Sequence, residues 1–333
     1  MPMPTQSDLH VNAPLTSVSV AYLQQASRYI ATRVFPKVKV EKQSDLYWKY
    51  SKSDWRRTDA QRRAPSTETP GVGWNVTTDS YFAHVYGVHK DIDDQLRANA
   101  DSNFNLDSDA TKFITGQLLL KRDIDWAFRY FKTGVWGTEF TGVAAAPTAL
   151  QFLQWNQAAS DPLINFTDWS TSFDELTGFD ANKMVVGVDV WKALKNHPAI
   201  LDRIKYTQKG VVTEDLVASF FGVNEFMVAK ATKSVGPQIN DAVSQDAAST
   251  YERVVNKKSA LIVYAPDSPS LLTPSAGYTF TWNGYLGAGG GEGLRIKNFR
   301  MEPIASDRIE AEMTYDQKVV SPDMGIYLNN VVA

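Results

Sequence analysis

The stretch MVVGVDVWKALKNHPAILDRIKYTQKGVVTEDLVASFFGV, Met184 to Val223, decides the fold class. It follows directly from Lys183, and KMVVGV (Lys183 to Val188) is rich in β-branched residues and too short for a helix, so it reads as a buried strand. Punctuated helical segments come next. Asp189 is placed to cap VWKALKN, Pro198 suits the first turn of PAILDRIKY, and Thr213 is placed to cap EDLVASFF, which Gly222 stops. Two further buried-strand runs follow, EFMVAKA (Glu225 to Ala231) and SALIVYA (Ser259 to Ala265). Short helices alternating with buried strands over Asp168 to Ala265 make a mixed α/β domain.

Upstream, Asp107 begins the longest helical pattern in the chain. Ala110, Phe113, Ile114, Gln117, Lys121, Ile124, Phe128 and Phe131 fall near one stripe, with Asp107 as cap, Lys132 at the negative end and Gly134 as stop. About 26 residues at a rise of 1.5 Å give a spine roughly 40 Å long. On this reading Phe128 is a core residue. Earlier still, two β-like runs, VKVEKQSDLYWKY and VGWNVTTDSYFAHVYGV, form a long hairpin joined by Ser51 to Gly71, a connection long enough to protrude and contact something else. Residues 1 to about 35 read as a polar arm with one short helix over Val18 to Ile30. Downstream, YTFTW, LRIKNFRM, RIEAEMTY and IYLNNVV return to β periodicity.

The composition bounds the function. The chain has 333 residues, 43% of them hydrophobic, and 34 basic against 37 acidic residues. Near-neutrality excludes a polycation that coats nucleic acid through its overall field. The absence of cysteine excludes disulfides, thiolate catalysis and cysteine-ligated metals. No basic start or long apolar run marks a targeting or membrane segment, so a soluble, unsecreted protein is expected.

Catalytic patterns fail on inspection. GAGGGEG (Gly287 to Gly293) misses the GxGxxG spacing, lacks a following Lys-Ser/Thr and reads as a hairpin tip. DSNFNLDSDATK (Asp101 to Lys112) starts like a calcium loop, but Leu106 stands where Gly is needed and Lys112 where Glu is needed. His10, His84, His89 and His197 form no metal pair by spacing, and His197 before Pro198 suits a capping or surface place. No catalytic residue, cofactor or metal is expected. A hydrolase using paired carboxylates and a monomeric nucleic-acid binder remain as alternatives of other classes.

Charge is segregated instead. Between Lys49 and Arg63 lie six bases (Lys49, Lys52, Arg56, Arg57, Arg62, Arg63) and two acids; between Asp91 and Asp109 lie six acids, including Asp91, Asp93 and Asp94, and one base, Arg97. Two solvated faces would explain this equally well. Read functionally, the basic tip with Trp48 and Trp55 as anchors binds nucleic acid or docks on the acidic run of a neighbouring subunit. The expected intersubunit contact is Trp55, Arg56, Arg57, Arg62 and Arg63 against Asp91, Asp93 and Asp94.

The order of parts, with Met184 to Val223 and IEAEMTYDQKVVSPDMGIYLNNVV (Ile309 to Val332), resembles the major capsid proteins of tailed bacteriophages, the Hong Kong 97 type of fold. The resemblance implies an α+β fold with an N-terminal arm (1–35), an extended β-hairpin loop (36–90), a peripheral domain (91–167) with a spine helix (107–133), an α/β axial domain (168–265), peripheral strands (266–320) and a C-terminal strand (321–333) able to return to the axial domain. It implies self-assembly of hexamers and pentamers into an icosahedral virion capsid in the host cytoplasm. Other implied partners are a separate scaffolding protein, a portal protein and packaged double-stranded DNA held by weak contacts, with no membrane. The same-fold alternative is an encapsulin-type compartment around cargo proteins.

Overall fold

A computed structural model of the chain describes residues 24–100, 105–205, 212–236, 249–269, 273–286 and 293–333. Most of the expected arm, the glycine-rich run and the first part of the calcium-like segment lie outside these residues. The described elements begin with α1 (Ala31–Val34), β1 (Lys37–Val40), β2 (Ser44–Tyr50), α2 (Lys52–Trp55), β3 (Val76–Phe82) and β4 (His84–Asp93). Next come α3 (Asp94–Asn99), the long α4 (Leu106–Tyr130), β5 (Thr138–Val143), β6 (Gln151–Leu153) and α5 (Pro162–Thr177). They continue with β7 (Lys183–Val186), α6 (Val188–Lys195), α7 (Pro198–Ile204), α8 (Glu214–Phe221), β8 (Glu225–Val228), β9 (Thr232–Val235), β10 (Thr250–Arg253) and β11 (Ala260–Val263). The last are β12 (Gly277–Trp282), β13 (Leu294–Met301), β14 (Ser306–Val319) and β15 (Gly325–Asn329).

Two larger sheets organise these elements. One has six strands in the order β6-β5-β15-β11-β7-β8; the other runs β1-β12-β14-β13, with β4 also paired to β14. The two β-like runs of the expected hairpin are therefore each divided. Only β2 and β3 pair with each other, from Ser44↔Phe82 to Tyr50↔Val76. Their outer parts join the five-stranded sheet, β1 parallel to β12 and β4 antiparallel to β14. The reason is packing. Phe35, two residues before β1, is fully buried against Trp126, Tyr130 and Trp136. Ile30, Ala31, Val34 and Phe35 belong to the main core rather than to a free arm.

The spine helix spans Leu106–Tyr130, not 107–133, and its cap is Asn105, whose side chain accepts from the Ser108 amide. Asp107 instead forms a two-point pair with Arg97 at 2.8 Å. The expected stripe is overturned at Phe113 and Phe128, the latter 76% exposed. A helix turns 100° per residue, and Ala110, Ile114 and Leu118 face the core under β14. Beyond Leu118 the buried side rotates to Arg122, Asp123, Trp126 and Ala127, because there the helix meets the second core, around Phe35 and Phe131. A straight stripe assumes one partner; α4 bridges two.

Around the six-stranded sheet, Thr213 caps α8 and Gly222 ends it in the left-handed conformation, while Pro198 opens α7. The start of α6 differs from the sequence reading. Gly187 is its N-cap, and a Cβ there would sit 2.3 Å from the Lys257 carbonyl oxygen, which also accepts from the Asp189 amide. The strand at 325–329 inserts between β5 and β11. The sheet thus includes residues from 138 onward and from 325 onward as well as the 168–265 segment.

Candidate assembly surface

The two faces of the β2–β3 hairpin differ in chemistry. On the face turned to the body, Tyr47 and Tyr81 stack on Phe280 of β12, with ring centroids 5.5 and 4.6 Å away. Tyr47 Oη donates to Asp79 Oδ2 at 3.0 Å, and Lys49 pairs with the same carboxylate at 2.9 Å. The Lys49 contact leads in pulling the Asp79 pKa down to about 2 against the opposing effect of desolvation. The amide of Phe82 donates to Asp316 on β14 and fixes the root.

Strand alternation puts Leu46, Trp48 and Tyr50 on the other face, opposite Ser80, Thr78 and Val76. Leu46, Trp48, Val76 and Phe82 are exposed. At the far end Trp55 packs on Tyr50 and Trp74, with centroids 5.9 and 6.3 Å apart. The Asp54 carboxylate closes the base of the connection by accepting from the Asn75 amide and side chain at 2.7 and 3.0 Å. Trp48, Trp55 and Trp74 are each more than half exposed. Uncovered aromatic surface is thus concentrated on this hairpin and its connection. Trp74 and Leu46 escaped the sequence reading, although the alternation L-x-W-x-Y over 46–50 carries the signal.

The basic residues divide. Arg56 Nη1 donates to the Leu176 carbonyl at 2.7 Å and Lys52 pairs with Asp323 at 2.7 Å, both within the same chain. Arg57 pairs with Asp59, and Arg63 donates to the Thr67 carbonyl inside the connection itself. Arg62 makes no ion pair with any described residue.

The acidic side is committed internally. Asp91 sits opposite Arg308 in the β4–β14 register and receives two hydrogen bonds from it, at 2.7 and 2.8 Å. Asp94 receives two from Arg300 at 2.6 and 2.5 Å. Arg308 and Arg300 respectively are the leading causes that hold these carboxyls below the usual range. Asp93 accepts from the Gln95 amide as the cap of α3. The structure therefore does not bring the basic tip and the Asp91–Asp94 group together. Asp91 and Asp94 are neutralised by arginines more than two hundred positions away, which a local charge count cannot see.

Elsewhere, His197 is buried, and its Nδ1 accepts from the Ala199 amide at 3.2 Å. Nε2 is 3.0 Å from Ser160 Oγ, which donates to the Gln157 carbonyl. An accepting Nδ1 requires the neutral ring with its proton on Nε2. The residue is a buried cap, not a surface group. Among the described residues no group of three His, Asp or Glu could hold a metal ion, and no helix is long and apolar enough to cross a membrane.

Residues 152–266 match the family model for phage major capsid protein E. The major capsid protein of Pseudomonas phage JBD67 is 22% identical over 331 residues, covering 97% of each chain. That of Burkholderia phage BcepMu is 25% identical over 222 residues, 66% of this chain and 69% of the relative. Among solved structures, a phage-related protein of Bordetella bronchiseptica RB50 superposes with a TM-score of 0.66 at 17% identity, covering 92% of this chain and 93% of that one. The capsid of cyanophage P-SCSP1u gives 0.57 at 13% identity, covering 97% and 93%. The SrpI encapsulin of Synechococcus elongatus PCC 7942 gives 0.54 at 10% identity, covering 97% and 94%.

Proposed function

We infer that this chain is a phage major capsid protein, a structural subunit whose copies close into the shell of the virion. The observation that carries the reading is the sequence likeness to a phage major capsid protein over 97% of both chains. The encapsulin shares the fold at 10% identity, whereas the sequence relatives named above are phage capsid proteins, which favours the virion over a cargo compartment. We read the subunit as non-catalytic.

The finer picture is an icosahedral shell of hexamers and pentamers of the Hong Kong 97 type, assembled in the host cytoplasm with a scaffolding protein and a portal. Near-neutral charge supports only weak, sequence-independent contact with packaged double-stranded DNA. The outward face of the hairpin, with Trp55, Arg57, Arg62 and Arg63, is the surface offered to a neighbouring copy. We leave Asp91, Asp93 and Asp94 out of the proposed contact: Asp91 and Asp94 are paired with Arg308 and Arg300 of their own chain, and the Asp93 side chain caps α3.

Negative-stain microscopy of the purified protein, with light scattering, tests the assembly reading. Closed particles tens of nanometres across are expected; a monomer under all assembly conditions would refute it. Particles carrying DNA support the virion reading, and particles filled with one specific protein support the compartment.

A further inference from the structure

Arg56 occupies a place that the sequence of α5 leaves empty. The helix ends in Asp174, Glu175, Leu176 and Thr177, with no basic residue in its last turn, so two acids stand at the negative end of the helix dipole. Gly178 follows in the left-handed conformation, with its amide bonded to the Asp174 carbonyl. The final carbonyls of a helix lack intrahelical partners, and Arg56 donates to that of Leu176. Its guanidinium lies against Gly178, where an added Cβ would come 3.7 Å from Cζ. A second contact, Lys52 to Asp323, joins the start of α2, the short helix whose C-cap is Arg56, to the turn at Pro322–Met324. Both partners are parts of the chain's own body, far in sequence from the hairpin.

We propose that these two contacts form a latch that parks the hairpin connection on its own subunit and must open before the connection can engage a second copy. The proposal rests on the reading of the hairpin as an intersubunit surface and adds its regulation. Arg56 and Lys52 flank Trp55 within one helical turn, so the aromatic anchor is held wherever they are held. Exposed charge contacts of this kind are individually weak, which lets the latch open. A contact inside one chain nevertheless competes at an effective concentration on the order of millimolar, well above that of free subunits. The latch therefore delays premature association at low subunit concentration and yields when several neighbours offer contacts together.

The test compares the full-length unassembled chain with K52A/R56A and with D323N, which weakens the latch from the receiving side. Hydrogen exchange over residues 51–75 should quicken several-fold in K52A/R56A and less in D323N, and the lag before shell formation by light scattering should shorten. Unchanged exchange in K52A/R56A overturns the latch. Faster exchange with a longer lag overturns its inhibitory sense and makes the docked form productive. W55A/W74A addresses the underlying reading separately: assembly at the wild-type rate would remove the hairpin as an intersubunit surface, while the exchange result on the latch would still stand.

Discussion

The amide of Ala31 donates to Oδ1 of Asp123 at 2.9 Å, and the amide of Ile30 donates to the same oxygen, so a carboxylate from the middle of α4 caps α1 across ninety-two positions. The other oxygen, Oδ2, is buried without a hydrogen-bond partner. Burial is the leading influence and pushes the Asp123 pKa up to about 6, against the two amides and the Arg122 charge.

A folded pKa of about 6 against the ordinary 3.8 means that the Asp123 contribution to stability is complete below the lower value and is lost as pH rises through the upper one. Relative to D123N, the wild-type unassembled chain should gain about 2 to 3 kcal/mol in unfolding free energy between pH 7.5 and pH 4.5. Urea titrations of both proteins at the two pH values measure it. A difference that is flat with pH, or that grows in the opposite direction, rejects the assignment.

His197 acts with the opposite sign. Desolvation leads in lowering its pKa, so its contribution is present above pH 6.5 and fades as pH falls. Replacing it with alanine removes the α7 cap and the partner of Ser160, at a cost of about 1 to 3 kcal/mol near neutral pH. Thermal unfolding should show that this cost shrinks on acidification; a cost independent of pH would mean that the ring is not held neutral.

Along α4, Trp126 is fully buried and Phe128 mostly exposed. Trp126→Ala should cost about 3 to 5 kcal/mol, and Phe128→Ala, whose exposed ring has the Lys132 ammonium 5.1 Å from its centroid, about 0.5 kcal/mol or less. Denaturant midpoints of the two variants test the order. A larger loss at Phe128 would place the buried face where a straight stripe puts it.

The Asp91–Arg308 pair should show coupling of about 1 kcal/mol in a double-mutant cycle of D91A and R308A, since both side chains are partly solvated. D91K/D93K/D94K should destabilise the unassembled subunit itself, because it breaks two arginine pairs and a cap. Wild-type stability with altered assembly would return those carboxylates to the intersubunit contact.

The elements that sequence made legible are those with local causes. Thr213, Pro198 and Gly222 act within a turn of where they stand, and the strands at 183–186, 225–228 and 260–263 follow from short β-branched runs. Helix α5 was equally local, with Asp161 as cap, Pro162 in the first turn and Gly178 at the end, yet the sequence reading began its domain only at Asp168. What stayed hidden depends on distant partners. The division of the hairpin runs between two sheets and the neutralisation of Asp91 and Asp94 are set by β12 to β14, far along the chain, and the rotation of the buried face of α4 is set by the core around Phe35. At the candidate surface, Trp55 was legible as an exposed aromatic beside charge, but the destination of Arg56 was not, because a helix carbonyl leaves no mark in a charge pattern.

The insertion of β15 between β5 and β11 has a consequence for synthesis. The strand that joins the two halves of the six-stranded sheet leaves the ribosome after all of its partners. Until residues 325–329 emerge, the β7, β8 and β11 group and the β5–β6 pair remain separate pieces, each with an apolar edge free to mispair. The β2–β3 hairpin, with both strands inside residues 44–82, can close early. The nascent chain thus presents Trp48, Trp55 and Trp74 on the hairpin before the body that carries it can close.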